Sequence, residues 1–151
     1  MIEIRGLFET HLTVSDLDRS VAFYRDVLKL PLAQLFPQRR VAFFWIGAPG
    51  KAMLGLWETG TGPQRMSLHL AFDASIDAVL AAPQVLREAG VAPLDFDCEP
   101  AREPVVLGWM PAVAIYFRDP DGNLLEFLAM LPQRPRPELG VVSWSAWDLT
   151  N

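Results

Sequence analysis

The chain has 151 residues, 51% of them apolar and 21% charged, with a formal net charge of -5. That length and composition fit one folded domain with a proper core and argue against disorder. The longest basic run is Arg39-Arg40, so the phosphate-neutralising patch of a nucleic-acid binder is missing and no nucleic-acid partner is expected. No stretch approaches the roughly 20 apolar residues of a membrane helix, and no membrane association is expected. The opening residues show no basic segment followed by an apolar one, and the single cysteine, Cys98, has no partner for an internal disulfide. A reducing, cytoplasmic location is therefore expected.

In chain order, residues 7–14 (Leu-Phe-Glu-Thr-His-Leu-Thr-Val) predict a strand. Ser15 and Asp16 offer N-cap oxygens for a helix over 17–28, where Leu17, Val21, Tyr24, Val27 and Leu28 recur at helical spacing. Three strands are predicted at about 31–37, 41–46 and 52–58, the last two joined by Gly47-Ala48-Pro49-Gly50. Gly60-Thr61-Gly62-Pro63 closes this half. The order then repeats: a strand at 66–72, a helix at about 75–89 with Pro83 placed to kink or split it, and strands at about 92–97, 112–118 and 123–130. Asp119-Pro120-Asp121-Gly122-Asn123 is a turn on its own chemistry. The pattern is βαβββ twice, an α+β arrangement in which two modules share a core that neither completes alone.

The two histidines, His11 and His69, fall 58 residues apart in the first strand of each half. A single histidine in an apolar strand is more often a satisfied core residue than a ligand. Two at matching places in a repeat are candidates for facing one another. Glu126 stands in Leu-Leu-Glu-Phe-Leu-Ala-Met, where a carboxylate is costly unless it is paired or binds a metal. Two imidazoles and a carboxylate make a candidate metal set with open positions for substrate. Glu9 and Thr13 share the face of His11 and are candidate pocket residues, although Glu9 also reads as an exposed strand end. Phe43, Trp45, Trp57 and Phe127 read as core, and Glu58 as exposed. The proline-bounded loop at 99–111 is a candidate lid, with Trp109 covering a substrate and Arg102 meeting an anion, or else a packing segment. Trp144 and Trp147 suggest that the tail docks on something, such as a partner subunit.

Residues 11–28, from His-Leu-Thr-Val-Ser-Asp to Phe-Tyr-Arg-Asp-Val-Leu, and Phe117-Arg-Asp-Pro-Asp-Gly-Asn-Leu-Leu-Glu126 resemble the opening and closing motifs of the vicinal oxygen chelate superfamily. That superfamily holds glyoxalase I, extradiol dioxygenases, fosfomycin-resistance thiol transferases and bleomycin-binding proteins. The resemblance implies a single glyoxalase-like domain over 1–131, built from modules 7–60 and 65–131 as a curved mixed sheet around a metal-binding cavity, with 132–151 as a tail. It implies one divalent metal (Fe, Mn, Zn or Ni) on His11, His69 and Glu126, with Glu126 also catalytic, a small substrate chelated through its oxygens, and a homodimer. In some members the halves exchange between chains. Matching to glyoxalase I puts Gly55 where that enzyme has a fourth, carboxylate ligand, which argues against standard glyoxalase I chemistry. Extradiol enzymes have an additional active-site histidine, which this chain lacks. Fosfomycin-resistance transferases surround a phosphonate with basic residues, whereas Lys51, Arg65, Arg102 and Arg118 are scattered here. The expected function is a metalloenzyme of lyase or isomerase, thiol transferase or dioxygenase type. The alternative is a non-catalytic protein that sequesters a small drug-like molecule, as bleomycin-binding members do.

Overall fold

The computed structural model describes residues 6–59 and 67–148. The glycine-rich break at 60–63, Arg65 and the expected strand start at Met66 lie outside the described residues. The chain divides into two compact units, one comprising residues up to Leu68 together with Asp119–Asn123, the other His69–Arg118 with Leu124–Asn151.

The first unit runs β1 (Glu9–Val14), α1 (Leu17–Ala22), β2 (Leu32–Phe36), β3 (Val41–Ile46) and β4 (Ala52–Glu58). In β1, Leu12 and Val14 are buried while Glu9 and His11 are exposed, the period-two alternation of a half-buried strand. Asp16, in an extended conformation, caps α1 by accepting from the Arg19 amide at 3.0 Å. The helix runs on through Phe23–Val27 as a wider turn and stops before Lys29, whose φ is +56°. Leu17 and Tyr24 are buried with Leu12, Val14, Phe44, Leu54 and Leu56. The sheet order is β1-β4-β3-β2, with β1 parallel to β4 and the other pairs antiparallel.

The 119–123 turn belongs to this unit. Asp119 Oδ1 accepts from the amides of Asp121 and Asn123 (2.9 Å each), which closes the turn, and Asp119 Oδ2 accepts from the buried Tyr24 hydroxyl at 3.0 Å. Asp121 accepts from Ser15, Arg19 and Ser20 around the start of α1. The sequence shows the turn; its second task of fastening α1 is visible only in the fold.

The second unit runs β5 (His69–Asp73), α2 (Ile76–Glu88), β6 (Val105–Leu107), β7 (Ala112–Arg118), β8 (Leu124–Met130), β9 (Val141–Ser143) and α3 (Trp144–Asp148). Its sheet is ordered β5-β8-β7-β6-β9, with β5 parallel to β8 and the rest antiparallel. Two mixed sheets, each with a helix after its first strand, give the α+β, paired βαβββ class expected from the sequence.

Four local expectations are corrected. Pro83 does not split α2: the helix runs unbroken over Ile76–Glu88, with Pro83 buried beside Val79, Ala82 and Leu86. The strand expected at 92–97 shrinks to a bridge at Leu94, because Asp95 Oδ1 accepts from the amides of Asp97 and Glu99 (2.9 Å each) and draws the backbone into a turn. The 99–111 segment is not all loop, since Val105–Leu107 pair on both sides, with β7 and with β9. The tail docks within its own unit: Trp147 is buried and the Arg136 guanidinium lies 5.6 Å above its ring. No helix among the described residues is long and apolar enough to cross a membrane.

Candidate functional site

The strongest arrangement lies in the second unit. Glu126 on β8 is directly opposite Ala71 on β5 and Tyr116 on β7, and is only 4% exposed. His69, at the start of β5, leaves half of its side chain accessible. Its Nδ1 lies 3.1 Å from the Leu124 carbonyl oxygen, and its Nε2 lies 3.1 Å from Glu126 Oε2. A carbonyl only accepts, so Nδ1 carries a hydrogen, and the ring turns Nε2 toward a carboxylate oxygen. Nε2 and Oε2 at that distance share a proton or, in its place, a cation. The other oxygen, Oε1, is buried with no hydrogen-bond donor. Burial pushes the Glu126 carboxyl above the usual range, opposed by the Tyr116 hydroxyl and by His69. Burial likewise pushes the Tyr116 phenol up, and the charge and hydrogen bond of Glu126 add to it. Tyr116 also meets the rings of His69 and Phe96.

This donor set fits a divalent cation. Two ligands bound at about 2.1 Å and subtending 90–109° at one ion lie about 3.0–3.4 Å apart, and the His69–Glu126 pair is within that span. A ring whose other N–H is held by a backbone carbonyl is the usual state of a metal-ligating histidine. The buried oxygen without a donor is the kind of acceptor a cation satisfies.

The first unit holds a second, differently wired pair. His11 Nδ1 accepts from the Trp57 indole N–H at 2.5 Å, and His11 Nε2 lies 3.3 Å from Glu9 Oε1. An indole N–H only donates, so Nδ1 accepts and the ring's hydrogen is on Nε2, the nitrogen nearer Glu9. The His11 ring also meets Phe43 edge-on, and Trp57 lies under the Arg39 guanidinium at 5.3 Å. Thr13 shares this face, opposite Trp57. The ring covers Gly55 so closely that a Cβ there would be 2.6 Å from His11 Nδ1.

Strand register separates two matches that the sequence treats as one. His11 is opposite Gly55, whereas His69 is opposite Leu124, two residues before Glu126. If the histidines correspond, the counterpart of Glu126 is Trp57. If Gly55 corresponds to Glu126, the counterpart of His69 is Glu9, which is opposite Met53.

The remaining candidates separate from these pairs. Glu58 is not a free strand end: it accepts from the Leu17 amide (2.6 Å) and from Arg40 (2.7 and 3.0 Å). The Arg40 bond first and the Leu17 amide second hold its carboxyl below the usual range. Arg102 is exposed in a bend before β6. Trp109 is exposed at the turn between β6 and β7. Tyr116 lies four residues into β7 from Ala112, about 13 Å along the strand, and Trp109 lies beyond that, so the fold does not bring it to Glu126. Among the described residues no three His, Cys, Asp or Glu side chains gather closely enough to share an ion; the two pairs are the groupings present. Sequence reading missed Trp57 as the partner of His11 and Tyr116 as the partner of Glu126. Alternation puts each on a face, but only register shows which residue it meets.

The model of the Glyoxalase/Bleomycin resistance protein/Dioxygenase superfamily matches residues 6–127. The metallothiol transferase FosB of Shouchella clausii (strain KSM-K16) is 32% identical over 124 residues, which cover 82% of this chain and 79% of that protein. Among solved structures, integron cassette protein HFX_CASS4, from the mobile metagenome of a Halifax Harbour sewage outfall, has a TM-score of 0.71 at 32% identity, over 84% of this chain and 100% of that one. The lactoylglutathione lyase of Agrobacterium tumefaciens has a TM-score of 0.63 at 24% identity, over 84% and 95% of the two chains, a likeness of fold.

Proposed function

Because the chain belongs to the glyoxalase/bleomycin resistance protein/dioxygenase superfamily, we propose that it is a cytoplasmic, homodimeric metalloenzyme that binds a small substrate through neighbouring oxygens to a divalent metal held by His11, His69 and Glu126. The observation that carries this reading is the His69–Glu126 pair: an imidazole nitrogen and a carboxylate oxygen facing at 3.1 Å, beside a buried oxygen that has no donor. When bound, the ion supplies Lewis acidity to a substrate oxygen. The protein's own part is to orient and to hold protons. The Leu124 carbonyl fixes the His69 tautomer. Burial raises the proton affinity of the Glu126 carboxyl, which suits it to take up or return a proton. The Tyr116 hydroxyl steadies that carboxyl by donating a hydrogen bond to it. Among the reactions open to such a site, transfer to a thiol is favoured by the 32% identity to a metallothiol transferase. A vacant carboxylate place at Gly55 weighs against proton shuttling between two metal-bound glutamates.

The test is elemental analysis of protein purified without a histidine tag and reconstituted with Mn, Fe, Ni or Zn, followed by assays with fosfomycin plus thiols, glutathione hemithioacetals and catechols. About one ion per chain and metal-dependent turnover of one substrate are expected. Protein that takes up no metal, with His69→Ala binding a small ligand normally, would instead mark a sequestering protein.

A further inference from the structure

Directly paired residues of neighbouring strands share a face of the sheet. On the His11 face of the first unit, one row across the strands holds Phe36, Val41 and Trp57, and the next holds Phe43, Gly55 and His11. Their rings form one continuous group. Phe43 lies 6.0 Å from His11, 6.2 Å from Phe36 and 6.5 Å from Trp57, each time edge-on, and His11 lies 5.8 Å from Trp57. Phe43 and Trp57, expected in the core from the sequence, are only half-buried. Phe36 is exposed, and His11 keeps 44% of its side chain accessible. A contiguous group of accessible rings is the kind of patch that marks a binding surface.

The cation of this face is Arg39. The short turn Pro37–Arg39 joins β2 to β3, and Arg40 follows it with a φ of +49°. The two arginines go to different partners. Arg40 binds Asp18 and Glu58, whereas Arg39 is exposed and holds its guanidinium over the Trp57 ring at 5.3 Å and the Phe36 ring at 6.0 Å. Among the described residues no carboxylate lies within ion-pair distance of it. Glu9, the acid of this face, stands against His11 Nε2, with the imidazole and the indole between it and Arg39. A guanidinium resting on ring faces is held in orientation while its in-plane N–H groups stay open, the geometry that takes a carboxylate through two parallel hydrogen bonds.

We propose that this face binds a small planar aromatic carboxylate, its ring laid against Phe36 and Phe43 and its anion held by the Arg39 guanidinium. The ligand class follows from the two features together. The rings offer apolar area that favours a flat partner, and the unpaired guanidinium sets one negative charge at the partner's edge. An aliphatic anion uses only the second feature, and a neutral arene only the first. The site lies within the first unit and needs no bound ion, so it goes beyond the metalloenzyme reading and stands apart from it.

The test is calorimetric titration of the full chain with cinnamate, cinnamyl alcohol and propionate, with EDTA present throughout and melting temperature as the folding control. Wild type should bind cinnamate about tenfold or more tightly than either the neutral alcohol or the aliphatic acid. Arg39→Gln should weaken cinnamate binding about tenfold and leave the alcohol unchanged, and Arg39→Lys, which keeps the charge without the fork, should recover only part of the loss. Phe36→Ala should weaken both aromatic ligands. Arg25→Gln, whose partner is Asp26, should bind as wild type does. If wild type binds no cinnamate, or Arg39→Gln binds it as tightly as wild type, the proposal falls. If Phe36→Ala leaves cinnamate affinity unchanged and turns a dimer into a monomer in light scattering, the face is a contact between copies of the chain and the proposal falls too. Because EDTA excludes metal ions from every titration, none of these outcomes bears on the metalloenzyme reading.

Discussion

The two units carry the same pair of groups, an imidazole and a carboxylate, yet hold them in opposite states of readiness. In the second unit a backbone carbonyl occupies His69 Nδ1 and leaves Nε2 facing a buried carboxylate. In the first, the Trp57 indole occupies His11 Nδ1 as a donor, which places the hydrogen on Nε2, 3.3 Å from an accessible Glu9. One pair sets a buried carboxylate, with one oxygen lacking a donor, against a half-exposed ring; in the other both groups are accessible. A histidine's usefulness to a cation is thus decided by whether its far nitrogen meets an acceptor or a donor.

The largest expected effect removes the second unit's pair. His69→Ala should weaken metal uptake about hundredfold or more, as ligand loss exceeds the ten- to hundredfold cost of losing an outer partner, read by calorimetry. Glu126→Gln should lose metal similarly yet raise the melting temperature of the metal-free protein at pH 7 by about 2–4 °C, because the amide can donate to His69 Nε2 and no buried charge remains. The sign follows from the direction of the shift. The folded carboxyl has a raised proton affinity, so the wild type's relative stability is greatest below the unfolded-state pKa and declines as pH rises through the folded one. The gap between variant and wild type should therefore widen from pH 4 to pH 7 in a thermal-melt series. A gap that narrows would mean that Glu126 is already neutralised by a partner.

An intermediate effect separates the units structurally. Asp121→Ala removes the acceptor of Ser15, Arg19 and Ser20 and should cost about 2 kcal/mol. Hydrogen exchange should accelerate in α1 and remain unchanged in α2. Trp57→Phe should sharpen the contrast in wiring. With no indole donor, His11 can move its hydrogen to Nδ1 and free Nε2, so metal affinity should rise about three- to tenfold, in line with the weight of one such hydrogen bond. In wild type, tryptophan emission should change on metal addition as the indole turns away, and this change should shrink in Trp57→Phe. The smallest effect concerns Glu58. Its carboxyl is held low by Arg40 and the Leu17 amide, so its contribution is present above the unfolded pKa and is lost as pH falls through the folded one. Glu58→Gln should lower the melting temperature slightly at pH 7, and the difference should shrink as pH falls through the folded value.

Much of this molecule is legible from its residues alone. Alternation and helical spacing mark the paired βαβββ order, because each element must bury one face. The Asp119–Asn123 turn follows from its own side-chain chemistry, and Glu126 declares itself as a carboxylate among Leu, Phe and Ala. Tertiary structure decided the rest. Val105–Leu107 become a strand because β9 arrives from the tail to pair with them. Trp147 is buried by its own unit, and Tyr116 and Trp57 become partners of the site through cross-strand neighbours. The roles of Glu9 and His11 show the limit most sharply. They share a face of β1, and sliding a strand by two residues leaves every side chain on the face it had, so the alternation that reveals the strand cannot say which of the two stands opposite Gly55. Only the paired backbone fixes that, and with it the difference between the two half-sites.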